Sequence, residues 1–175
     1  MLFRALVASV LAASAAHAAV NNNIYLIRHG EKPADGGNGL STQGEDRAQC
    51  LRNVFGANSG YNIGKIFAQA YKADGSRIRP YETVEPLAQD LGLTVDTSCD
   101  RDDIDCVHDA VHAFADQSGA DILICWEHDA LGEIGSAIGQ GFNYPSDHFD
   151  LIYLEQNGDL SSNSPYSENC PGLDN

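Results

Sequence analysis

The sequence predicts an α/β fold in three layers, a mostly parallel β-sheet flanked by helices on both faces. Three observations carry that prediction. Strand-like and helix-like segments alternate along the chain, as they do where crossover helices cover a parallel sheet. The strongest strand segments, residues 24–27 and 121–126, are apolar throughout except for Asp121 at the start of the second, the pattern of strands buried on both faces. The chain has 175 residues with no internal repeat or low-complexity linker, which fits one domain with its own core.

The elements follow in order. Residues 24–27 form a run too short for a typical helix, and it ends abruptly at Arg28-His29-Gly30. A Gly-rich loop at 35–39 comes next, then a helix opened by Ser41 or Thr42 and running to about Phe55; Ser and Thr oxygens suit the first orphan N–H groups of a helix. Residues 65–70 read as a strand and 80–91 as a helix with proline near its start, where proline costs nothing. Residues 93–96 read as a short strand, 104–117 as a helix, 121–126 as a buried strand, 130–139 as a helix and 150–155 as the last strand. The tail from 157 to 175 is polar, rich in Ser and Asn, and reads as irregular.

The N-terminus sets the expected compartment. A single arginine, Arg4, precedes the apolar run 5–16, and Ala16-His17-Ala18 has the small-x-small form of a cleavage site. That is the pattern of a secretory signal peptide, and the run is short for a membrane span. Residues 1–18 are therefore expected to be removed, leaving 19–175 as one exported domain. With 25 acidic residues against 10 Lys and Arg, the formal net charge is −15. Such a surface repels nucleic acid and anionic membranes, so neither is an expected partner. Arg28, Lys32, Arg77 and Arg79 nevertheless sit in two short segments resembling strand-end loops, as though kept to hold a small anion.

Export permits disulfides. Cys99 and Cys106 enclose a short acidic loop and are the first expected pair. Cys125 lies inside an apolar run and is expected to be a buried thiol, leaving Cys50 for Cys170. No cysteine is flanked by cations that would lower its pKa, so none is a candidate nucleophile.

The polar residues at the strand ends are the candidate site. In open α/β sheets ligands bind at the carboxyl ends of the strands. Arg28 offers a planar fork suited to phosphate oxygens, His29 is a possible nucleophile, and Gly30 lets backbone approach a ligand. Arg79 and Thr83 open a later helix, and Trp126-Glu127-His128-Asp129 follows the 121–126 strand. If those strands are parallel and adjacent, Arg28, His29, Arg79 and His128 converge. Two guanidiniums and two imidazoles make poor packing but suit a phosphoryl group with its three anionic oxygens.

With these motifs in order, the chain resembles the histidine phosphatase (phosphoglycerate-mutase-like) superfamily, in the form of a compact, secreted member of its first branch. The stretch Ile24-Tyr-Leu-Ile-Arg-His-Gly-Glu31 is similar to the signature strand and nucleophile loop of that superfamily. Residues 40–48 are similar to its Leu-Thr-x-x-Gly-x-x-Gln-Ala segment, with Arg47 in place of the usual Gln. Arg79 with Thr83 matches its Arg-x-x-x-Thr element, and residues 122–128 its late strand and second histidine. The resemblance implies that His29 attacks phosphorus and that Arg28, Arg79 and His128 neutralise the equatorial oxygens. It implies Gly30, Glu31 and Thr83 as substrate-binding residues, and a mechanism without metal or other cofactor. The implied protein is a monomeric exported phosphatase acting on a small phosphorylated molecule through phosphohistidine. The competing reading is an interaction protein on the same fold that holds an anion without turning it over.

For the residue that protonates the leaving oxygen, Asp129 and the acidic loop, with Asp102, are the expected catalytic candidates, Glu127 is a third, and the resemblance also admits a member without a dedicated acid. Asp129 follows His128 directly, Asp100, Asp102 and Asp103 form an acidic cluster between Arg79 and His128, and Glu127 precedes His128. His108 and His112 have the i, i+4 spacing that can bind zinc, but the segment lacks the Glu of a His-Glu-x-x-His motif at its proper place, and they read as surface residues. The loop at 35–39 lacks the Gly-Lys-Ser/Thr ending of a phosphate cradle and reads as a flexible connection over the pocket.

Overall fold

The structure, a computed structural model, describes residues 20–174. The expected signal peptide, residues 1–18, lies outside the described residues. The chain runs β1 (Ile24–Arg28), α1 (Thr42–Val54), β2 (Ile63–Ala68), α2 (Arg79–Leu91), β3 (Val95–Asp96), α3 (Ile104–Ala115), β4 (Asp121–Trp126), α4 (His128–Ile138), β5 (Leu151–Gln156), β6 (Asp159–Leu160) and β7 (Tyr166–Ser167). The sheet order is β3-β2-β4-β1-β5-β6, with β7 also on β5. Pairs β3·β2, β2·β4 and β4·β1 are parallel, whereas β5 runs antiparallel to β1, β6 and β7.

Every residue of β1 and of β4 is buried, as the apolar runs require. The period-2 pleat sends alternate side chains to opposite faces. Ile24 and Leu26 join one core with Val107, Val111, Leu131 and Ile134 of α3 and α4. Tyr25 and Ile27 join the other with Leu51 of α1 and Val84 and Leu87 of α2. The sheet is thus covered on both faces, and helix caps fix the entries. Ser41 Oγ accepts the Gly44 N–H at the start of α1, and Asp103 caps α3 through the Cys106 N–H. No helix among the described residues is long and apolar enough to cross a membrane.

The structure departs from the sequence reading at the two places where local pattern is weakest. Strand β2 begins at Ile63 because Gly64, which breaks the apolar pattern, packs against Ala120; a Cβ there would lie 2.5 Å from the Ala120 Cβ. The register slips at this point, between Ile63 and Lys65, a usual role for glycine in a strand. The tail is irregular over most of its length but adds β6 and β7 to β5, two-residue strands too short to leave a periodicity. Disulfides Cys50–Cys170 and Cys99–Cys106 are formed and Cys125 is a buried thiol; the first fastens the tail to α1.

Two carboxyl groups are buried far more deeply than their chemistry favours. Glu155 on β5 is 1% exposed, and neither of its oxygens has a well-formed hydrogen bond. Burial pushes its pKa from the ordinary 4.5 up to about 8, with the Gln140 N–H offsetting part of the effect. Burial also raises Glu168 to about 8, against the pull of Arg47. Glu155 thus holds a proton in the folded protein that the unfolded chain releases above its ordinary pKa, whereas Glu168 is paired with Arg47 at 2.6 Å. Stability therefore falls as pH rises through the window between the two values. We expect the unfolding midpoint to drop between about pH 5 and about pH 8. Glu155→Gln should flatten part of that drop and exceed the wild type at the alkaline end. Thermal melts across this window check it, and a variant with an unchanged slope would contradict the assignment.

Candidate active site

The site is assembled where β1 and β4 end side by side. Their parallel register pairs Arg28 with Trp126, so the residues that follow, His29 on one strand and Glu127 and His128 on the other, leave the sheet together. The His29 N–H donates to the Trp126 carbonyl at 3.2 Å, continuing the ladder one step beyond β1. His29 is buried, at 1% exposure. Its Nδ1 lies 2.7 Å from the Gly30 carbonyl and its Nε2 lies 3.2 Å from Glu127 Oε2. The carbonyl can only accept, so Nδ1 carries a proton and the lone pair belongs to Nε2.

Glu127 is the hub of this arrangement. Oε1 is 2.5 Å from His128 Nδ1 and 3.9 Å from Lys32 Nζ, while its main-chain N–H donates to Gln69 Oε1. His128 Nε2 faces Asp129 at 3.2 Å. Burial lowers the His29 pKa, and Arg28 adds to this, against hydrogen bonds to Glu127 and Gly30. For Glu127 burial acts to raise the pKa, but hydrogen bonds from His29 and His128 and the nearby Lys32 charge hold it well below the usual carboxylate range. Each group is thus biased towards losing its proton. The geometry nevertheless asks for one between them, because acceptors face both ring nitrogens of His29. That proton is held loosely.

Arg28 is oriented from the other side. Its Nη1 donates to the Ser146 and His148 carbonyls, both at 2.7 Å, and its guanidinium carbon lies 3.8 Å above the Phe149 ring. The loop between α4 and β5 therefore clamps the cation by backbone and by cation–π contact. Arg28 Nε is buried and has no hydrogen-bond partner among the described residues, an expensive state for a charged donor that an anion would relieve. Burial lowers the Arg28 pKa, yet a guanidinium stays charged in a protein. Sequence reasoning missed Phe149 and the two carbonyls, which lie in a segment with no periodicity.

Arg79 takes up the Gly-rich loop rather than standing alone. Its Nε and Nη2 donate to the Gly39 and Gly37 carbonyls at 3.1 and 2.5 Å, so the loop is strapped to α2. Thr83 supports the nucleophile loop from within: its Oγ1 accepts the Gly30 N–H at 2.8 Å and donates to the Arg79 carbonyl at 2.7 Å. Gly30 is required by packing, since a Cβ there would lie 3.0 Å from the Gly44 carbonyl oxygen. Glu31 is bound by Arg47, with Nη2 to Oε1 at 2.7 Å. Thr83 and Glu31, read from sequence as substrate-binding, thus have their polar groups engaged inside the protein.

The other acid candidates sit further out. Asp129 and Asp102 have side chains 80% and 60% exposed; Asp102 contacts Arg101 and Arg77. Asp103 caps α3, and Asp100 pairs with Lys72 and Arg77. Arg101, Asp102, Glu127, Asp129, Ala130 and Glu133 line a pocket of about 220 Å³. Glu127, His128 and Asp129 have ligand-type atoms within 4.8 Å of one another, but both His128 nitrogens already face carboxylates, a set complete without an ion. Glu168, Cys170 and Asp174 form a similar group, but the Cys170 sulfur is held in a disulfide. His108 and His112 stack at 4.3 Å between ring centroids and belong to no group of three ligand residues among the described residues.

No protein-family model matches the chain, and no curated protein matches it. Solved structures do. The protein histidine phosphatase SixA, in its complex with tungstate, is 16% identical with a TM-score of 0.55, covering 83% of this chain and 97% of its own. The putative phosphohistidine phosphatase SixA from Agrobacterium tumefaciens is 13% identical with a TM-score of 0.46, covering 80% and 95%. The first likeness establishes the fold: the α/β architecture, a mostly parallel sheet with helices on both faces, is shared with that structure.

Arg47 links this site to the tail. It is 1% exposed and bonds Glu31, Glu168 at 2.6 Å, Asp174 at 3.3 Å and the Leu173 carbonyl at 2.9 Å. Removing it would strand buried carboxyl groups. Arg47→Leu, with the disulfides intact, should cost about 3–5 kcal/mol, read by denaturant unfolding. A change below about 1 kcal/mol would show that the network contributes no more than a surface pair.

Proposed function

We propose that the protein is an exported phosphatase that removes phosphate from a small phosphomonoester through a phosphohistidine on His29. The single observation that carries this reading is a buried histidine with its Nε2 lone pair directed away from the backbone, beside an arginine whose buried Nε has no partner among the described residues. His29 Nε2 attacks phosphorus, and the bond to the leaving oxygen breaks. Water then attacks the phosphohistidine and frees phosphate. Arg28, clamped by Ser146, His148 and Phe149, meets the charge on the equatorial oxygens without having to reorganise. Lys32, 3.9 Å from Glu127, adds a second positive charge nearby, so the chemistry calls on the chain's own cations rather than on a metal ion. SixA, described as a protein histidine phosphatase in complex with tungstate, supports both the chemistry and the anion. Export is supported by the signal-like N-terminus and by two disulfides.

The test is phosphate release from an aryl phosphate with chelator present. The wild type should be active, His29→Ala inactive, and Arg28→Ala slower by about 10²–10³-fold in kcat. Folded wild-type protein that binds phosphate but releases none from any phosphomonoester would favour the anion-binding reading.

A further inference from the structure

We propose that Glu127 is the proton carrier of the reaction: it takes the proton from His29 Nε2 and delivers it to the leaving oxygen. The inference rests on the phosphatase reading above and deepens it. Of the carboxylates around the site, Glu127 is the one seen touching the reacting nitrogen, at 3.2 Å. Asp102, Asp103 and Asp100 are engaged by Arg101, by the α3 cap and by Lys72 and Arg77, and Asp129 contacts only the far nitrogen of His128.

The position of Glu127 suits both halves of the task. Its Oε2 faces Nε2 directly, so a phosphoryl group reaching the nucleophile must enter between them. That places the leaving oxygen on the Glu127 side of phosphorus, opposite Nε2, where in-line displacement needs its acid. The pocket of about 220 Å³ beyond Glu127 gives the displaced carboxyl and the leaving group room. Groups facing Glu127 come from each surrounding segment: Arg28 at the end of β1 and His29 and Lys32 after it, Arg101 and Asp102 before α3, and His128, Asp129 and Glu133 on α4. His128 Nδ1 and the Gln69 contact fix the carboxyl and its backbone, as a positioned acid requires.

The steps balance. In the free protein one proton lies between Nε2 and Oε2. On substrate entry it moves to Oε2, which frees the Nε2 lone pair. The N–P bond forms, the P–O bond to the leaving group breaks, and Oε2 gives the leaving oxygen its proton. Glu127 is then a carboxylate. It takes a proton from the attacking water as the O–P bond forms and the N–P bond breaks, which restores the starting state. No oxidant, metal or further reactant takes part.

Leaving-group dependence tests this. Dinitrophenyl phosphate loses a stable phenolate that needs no proton, whereas a simple alkyl phosphate loses a strongly basic oxygen. In Glu127→Gln, kcat/KM for the alkyl phosphate should fall by about 10²–10⁴-fold, and for dinitrophenyl phosphate by less than about 10-fold. Glu127→Ala, which also removes the shape of the side chain, should show the same selective loss. An equal loss on both substrates in both variants would overturn the inference and make Glu127 a positioning residue for His29. Wild-type protein that forms no phosphohistidine from dinitrophenyl phosphate would overturn the phosphatase reading, and this inference with it.

Discussion

The pairing of β1 with β4 is the constraint on which the site depends. The two strands run parallel and in register from Ile24–Ile122 to Arg28–Trp126, and they sit at the centre of the sheet with helices on both sides. A parallel pair sends both carboxyl ends to the same edge, so two segments nearly a hundred residues apart in sequence deliver their polar residues together. A slip of one residue would turn every side chain of the strand to the opposite face, taking Ile24 and Leu26 out of one core and Tyr25 and Ile27 out of the other. Because both faces are buried, the packing of two cores holds His29 in place. The ladder extends one residue further, through the His29 N–H and the Trp126 carbonyl, which ties the reactive residue to the most rigid part of the fold.

Around that fixed point the charges are arranged by burial. Two arginines are almost wholly inside the protein, and they are treated in opposite ways. Arg47 is surrounded by carboxyl groups from the nucleophile loop and the tail, which outweigh burial and raise its pKa. Arg28 is held by two carbonyls and an aromatic face, contacts that orient a guanidinium without neutralising it. The first arrangement is structural: with the Cys50–Cys170 disulfide, Arg47 binds the C-terminal tail against the loop that carries His29. The second leaves positive charge unspent beside a nucleophile. On a protein with a net charge of −15, Arg28 is a local positive charge of sign opposite to the whole surface.

The layered architecture and most elements were legible in the sequence because each had a local cause: apolar runs for β1 and β4, Ser41 at the start of α1, Pro80 at the start of α2. The cysteine pairs followed from the spacing of Cys99 and Cys106 and the apolar surroundings of Cys125. At the site, the placement of Arg28, His29 and His128 near strand ends could be read from sequence, since each lies within two residues of the end of an apolar run. What could not be read depends on contacts distant in sequence. Phe149 and the Ser146 and His148 carbonyls lie in a loop whose pattern says nothing of the arginine they hold. Thr83 and Glu31 stand in the expected motif positions, but their partners, Gly30 and Arg47, decide that they support the site from within. The 3.2 Å contact between His29 and Glu127 is made between the ends of two strands distant in sequence, and the strands of the tail are too short to announce themselves.

The central claim is that His29 Nε2 becomes bonded to phosphorus during turnover. Rapid quenching of the wild-type protein with a radiolabelled aryl phosphate, followed by peptide mapping, tests it most directly. The account predicts a base-stable, acid-labile phosphoryl group on His29, attached through Nε2. Phosphate release at full rate with no label trapped on His29, or with the label on a carboxylate or on another histidine, would contradict it.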